Sequence, residues 1–176
     1  AMVNAVNASQ GVLTQVGTDA DAGSSTVTVT QLQTVSPALT GLVAGNEAAY
    51  QAYIGANSDS FSSPATAAEL QAMVNTVNKS QDTLNQIDSN VTVAQLQTVT
   101  PAITGLIVEN EAEYQAYIAA NPNEFSSPAT AAELQAMVDT VNVLTQVGSN
   151  ADDGNSNITV AQLQTVSPAL TGLIAG

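Results

Sequence analysis

Residues 27–78 can be laid over residues 91–142 without a gap, and only twelve positions differ. Most of those are conservative exchanges, such as Leu39 for Ile103 and Val43 for Ile107. Two segments this alike must share one fold, so the chain is built by repetition, and one unit has to be understood before the whole.

A third copy opens at Ile158, where ITVAQLQTVSPALTGL repeats the start of the other two. The chain also begins inside a copy, because Ala1, Met2, Val3, Asn4, Val6 and Asn7 match Ala72, Met73, Val74, Asn75, Val77 and Asn78. This divides the chain into the last part of one repeat with an acidic join (1–26), a full repeat (27–90), a full repeat with an acidic join (91–157), and the start of another (158–176). The opening AMVNAVNASQ lacks the basic start and apolar stretch of a secretory leader, and the chain reads as part of a longer array.

The spacing between copies is 64 residues from Val27 to Val91 and 67 from Val91 to Ile158. One source of the variation is KSQD at 79–82, which has no counterpart after Asn142. Four residues is about one helical turn, so a helix can lose them and roughly keep its buried face. The other source is the join, short at 88–90 and long in GTDADAGSST (17–26) and GSNADDGNSN (148–157). Joins that tolerate such changes belong on the surface.

Within a copy the spacing predicts three helical segments. The first begins at Thr92 with a Thr-x-x-Gln capping box, and Val93, Leu96, Val99 and Ile103 recur at three or four, with a break forced by Pro101. A strand competes here, because VTVTQ alternates from Val27 and both Val and Thr favour strands. The second helix starts at Asn110 as cap, with Glu111 and Glu113 in the first turn and Tyr114, Tyr117 and Ile118 on one face. Thr130 and Glu133 form another capping box before the longest helix. There Leu134, Met137, Val138, Val141, Leu144 and Val147 make an apolar stripe, and Gly148 is placed to end it. Gly41, Gly105 and Gly172 mark a tight turn or close helix approach at one place in each unit. The fold class expected is all-α: small three-helix bundles in tandem, stacked into an elongated rod.

Fifteen acidic residues face one cation, Lys79, with no Arg and no His, for a net charge of −14. Such a chain lacks the cations that neutralise nucleic-acid phosphates or anionic lipid, and no apolar run approaches the roughly 20 residues that cross a bilayer. Neither nucleic acid nor a membrane is expected as a partner. Neighbouring repeats of the same chain are, and the partial copies at both ends make self-association a further expectation. With no His and no Cys, acid-base and thiolate catalysis lose their usual groups. No GxSxG elbow, phosphate-binding loop or dinucleotide fingerprint is present, and Glu47, Glu69, Glu111, Glu113 and Glu133 read as helix-start residues. No enzyme and no cofactor are therefore expected. The one metal reading is weak calcium binding at the long joins, where Asp19 and Asp21, and again Asn150, Asp152 and Asp153, gather among Gly, Asn and Ser. They do not fit the EF-hand pattern, and a flexible acidic turn is the plainer alternative.

The motifs TVAQLQTV, NEAEYQAYIAANPNEFSSPAT and AAELQAMVDTVN resemble the alanine-rich helical repeats of giant bacterial surface proteins and RTX-type biofilm adhesins, especially those of marine bacteria. The resemblance implies an extracellular or cell-surface location, many copies in series, and a spacer holding a terminal ligand-binding region away from the membrane. It carries over no functional residue, and many such proteins use β-sandwich repeats instead. A helical-bundle module that binds a host or matrix protein, and a self-associating fibre segment, remain as alternatives.

Overall fold

The computed structural model describes residues 2–154 and 157–166. Among them all regular structure is helical, which agrees with the all-α expectation and removes the strand reading of VTVTQ. Thr28 decides that point locally. Its hydroxyl accepts from the Gln31 backbone N–H while the Gln31 side chain returns to the Thr28 N–H, and this reciprocal box starts a helix at Val29.

The chain divides into two units, Ala1–Gln81 and Asp82–Gly176. The division falls inside a long helix, whereas the sequence period is counted from the start of a copy.

In the first unit, α1 (Met2–Asp21) is followed by the one-turn α2 (Val29–Leu32), then α3 (Glu47–Ala56) and most of α4 (Ala67–Asn85). The core gathers Val12, Val16 and Ala20 of α1, Val29 and Leu32 of α2, Tyr50 and Ile54 of α3, and Leu70, Met73, Val74 and Val77 of α4. The last helix of the preceding copy thus completes the core of the copy that follows. Burying each Leu, Ile or Val here is worth about 1.5–3 kcal/mol relative to leaving it exposed.

In the second unit the last turn of α4 leads to α5 (Val93–Leu96), α6 (Glu111–Ala120), α7 (Ala131–Asp152) and α8 (Val160–Leu163). Its core holds Leu84, Val93, Leu96, Val99, Tyr114, Ile118, Leu134, Met137, Val138 and Val141.

Four expectations are corrected. The first segment of each copy is helical for one turn only, ending ahead of Pro101 at Leu96, and Val99 and Ile103 are buried beyond the helix in irregular chain. Asn46 and Asn110 make no side-chain cap bond, since their amides are spent elsewhere. Gly148 does not end α7, which runs on to Asp152, and Gly154 at φ +65 follows the helix. Finally, Leu144 and Val147 are 48% and 37% exposed, so the apolar stripe of α7 is buried only as far as Val143. The turn at Gly41 and Gly105 is present, with φ of 71° and 72°; Gly172 lies outside the described residues.

Candidate functional site

A polar hub around one asparagine recurs in both units. In α4, Asn78 Oδ1 accepts from the Tyr50 hydroxyl at 2.6 Å and from Asn46 Nδ2 at 2.9 Å, while its Nδ2 donates to the Gly41 carbonyl at 2.7 Å. In α7, Asn142 does the same with Tyr114 at 2.7 Å, Asn110 at 2.9 Å and Gly105 at 2.7 Å. Each tyrosine oxygen also accepts a backbone N–H, from Val43 or Ile107, at 3.1 Å. Both tyrosine side chains are fully buried, so the hydroxyl needs a partner, and the amide of the asparagine supplies it.

Two further grips fix the chain ahead of the hub. The Gln71 side chain accepts from the Thr40 N–H at 2.8 Å and donates to the Thr40 carbonyl at 3.0 Å, and Gln135 holds Thr104 at 2.8 and 3.1 Å. On α3, Glu47 and Gln51 are one turn apart and share a face. Glu47 accepts from the Val29 N–H at 2.7 Å and Gln51 donates to the Val27 carbonyl at 3.0 Å, and Glu111 and Gln115 treat Val93 and Val91 alike. Glu47 and Glu111 therefore serve the start of a different helix from their own.

Glu69 and Glu133 do stand at their own helix starts, closing the boxes with Thr66 and Thr130. Burial pushes both carboxyls up, but hydrogen bonds from Thr66 and Ser62, or from Thr130 and Ser126, outweigh it and hold each below the ordinary carboxylate value. Tyr117 is half-buried beside fully buried Tyr114, and its hydroxyl reaches Glu124 at 2.6 Å.

Of the calcium candidates, Asp19 and Asp21 lie in the last turn of α1, Asp152 ends α7 and Asp153 caps it. Asp19 is already engaged, accepting from the Ser25 hydroxyl at 2.8 Å and the Thr26 N–H at 3.2 Å. Among the described residues, no three carboxylates gather as a metal-holding group. The first half of each long join, 17–21 and 148–152, is thus helix end. A groove in the second unit, about 690 Å³, is lined by Ile107, Asn110, Asn142, Gln146, Gln162 and Thr165, with Asp139 as its acid.

No helix among the described residues is long and apolar enough to cross a membrane. Comparison with protein-family models, curated proteins and solved structures gives no match to the chain.

Proposed function

We propose that the chain is a spacer segment of a large secreted or cell-surface bacterial adhesin, a non-catalytic array whose purpose is length. The observation that carries this reading is the repetition of the Asn78 and Asn142 hubs with corresponding distances differing by no more than 0.1 Å. A side chain used for catalysis or recognition leaves polar groups pointing to a ligand, whereas these polar groups are consumed in holding the copy together. The acidic surface, −14 overall, keeps such an array soluble and separated from its neighbours. In this reading three-helix copies stack into a rod that carries a binding region outward.

Small-angle X-ray scattering on chains of one, two and four added repeats tests it, in millimolar calcium and in chelator. The maximum dimension should rise by a constant increment per repeat in both conditions. A dimension that grows only as the square root of copy number defeats the spacer reading. Extension that appears only with calcium makes Asp19, Asp21, Asp152 and Asp153 working residues.

A binding module is the second reading, and one observation favours it. Val43 and Ile107 occupy the same position in two copies and are 45% and 41% exposed, which places an aliphatic contact on the surface once per repeat.

A further inference from the structure

The exposed end of α7 has an equivalent within the same chain. Adding 131 to any number in 12–23 gives its counterpart in 143–154, so that Leu13, Val16, Gly17, Ala20 and Gly23 correspond to Leu144, Val147, Gly148, Ala151 and Gly154. The first turn of the following copy is held the same way at both places. Gln31 Nε2 donates to Gln15 at 3.1 Å, and Gln162 Nε2 donates to Gln146 at 3.2 Å.

Beyond that point the two differ. In the first unit Val16 and Ala20 are 0% and 2% exposed, and the Leu13 carbonyl accepts the Ala65 N–H at 3.0 Å. A Cβ on Gly17 would stand 2.7 Å from the Ser62 carbonyl oxygen and 2.9 Å from the Ser63 Cα, so that glycine is the seat of the loop 62–65. The second unit repeats the contact at the end of α4, where the Leu84 carbonyl accepts the Ala129 N–H at 3.1 Å. On α7 the same face is open: Val147 is 37% exposed, Ala151 is exposed, and Gly148 has no described atom within 4 Å of a built Cβ.

We propose that Leu144, Val147, Gly148 and Ala151 form a docking seat for one occupant, a further copy of the repeat segment 47–65. The seat also selects between the two versions of that segment present in the chain. A Cβ on Gly55 would stand 2.8 Å from the Gly23 carbonyl oxygen and 3.0 Å from the Ser24 Cα, so a long join demands glycine there. The second unit, entered through the short join 88–90, carries Ala119 at that position. The join after α7 matches the long one in length, and Gly154 (φ +65) repeats the backbone of Gly23 (φ +71). The occupant is therefore the Gly55 version.

The inference rests on the repeat-array reading above, and the test separates the two. Residues 46–85 are appended after Gly176, which continues the third copy in register, and amide hydrogen exchange is followed across 143–152. Exchange there should slow by about tenfold or more relative to the 176-residue chain. Gly55→Ala in the appended copy should abolish the slowing. Gly148→Ala gives a second, independent reading: it should raise the melting temperature of the 176-residue chain, because it replaces an unhindered helical glycine, and lower that of the extended chain. Unchanged exchange, or equal protection by the alanine version, overturns the proposal, as does protection already present in the unextended chain through dimer formation. An extended chain that scatters as a longer particle with α7 unprotected defeats the docking seat alone. Protection without added length defeats the spacer reading alone.

Discussion

Tyr114 donates its hydroxyl to Asn142 over 2.7 Å, from the second helix of a copy to the third, and Tyr50 and Asn78 repeat the bond at 2.6 Å. The pair is a polar contact at the edge of a core made mostly of aliphatic side chains. Its removal takes one of two donors from Asn142 Oδ1, which keeps Asn110, and takes the acceptor from the Ile107 N–H.

Tyr114→Phe should accordingly cost about 1–3 kcal/mol, mainly the penalty for leaving the Ile107 N–H without its acceptor. Urea denaturation measures it. Tyr50→Phe should cost a similar amount, and a loss below the error of the experiment in both would show that the hub is bridged by water.

Gly17→Ala and Gly11→Ala should move stability in opposite directions, although both glycines lie inside α1. Gly11 has nothing within 4 Å of a built Cβ, so alanine there gains about 0.5–1 kcal/mol of helix propensity. Gly17 faces backbone at 2.7 Å, which cannot give way as a flexible side chain can. Thermal melts of the two variants should shift up and down respectively.

Gly105→Ala isolates backbone strain. A Cβ there would meet only Asn142 Nδ2 at an ordinary 3.7 Å, but φ is +72. The left-handed conformation costs an L-residue roughly 1–2 kcal/mol, so the unfolding free energy should fall by that amount and the denaturation midpoint with it. An unchanged midpoint would mean that the turn relaxes without strain.

The double variant Glu69→Gln, Glu133→Gln should flatten the acid side of the stability curve. Both carboxyls are held below the ordinary value in the folded state, so their contribution is present at neutral pH and disappears as pH falls through the folded value. Glutamine keeps the capping box, as Gln31 and Gln95 show, but does not titrate. Melting temperature should fall more steeply for the parent than for the variant as pH drops below the ordinary glutamate value of about 4.3. Parallel curves would assign the acid sensitivity to other carboxylates.

What could be read from the sequence was what is decided within one helical turn. The boxes at Thr92 and Thr130 and the shared face of Tyr114 and Ile118 follow from residues three or four apart, and the structure places them so. The hub was not legible, because Asn142 meets Tyr114 across 28 residues and a helix-start asparagine such as Asn110 looks like a cap until its amide is seen elsewhere. Periodicity also names the apolar face of α7 without saying where its cover stops, which is why Leu144 and Val147 read as core. Gly148 was misread for a related reason. A glycine inside a helix and a glycine just past its end look alike in one dimension, and only the continuation of α7 to Asp152 tells them apart.

The hub asparagine reaches back 37 residues to its glycine, and the contact between Leu13 and Ala65 still closes within the length of one copy. Loop-closure entropy grows with such separations, so short ones favour fast folding. A copy can close as soon as its own third helix is available. A long polypeptide made this way can acquire structure in the order in which it emerges from a ribosome or an export channel, one segment at a time. Its folding time then depends on the length of a copy and hardly at all on how many copies follow.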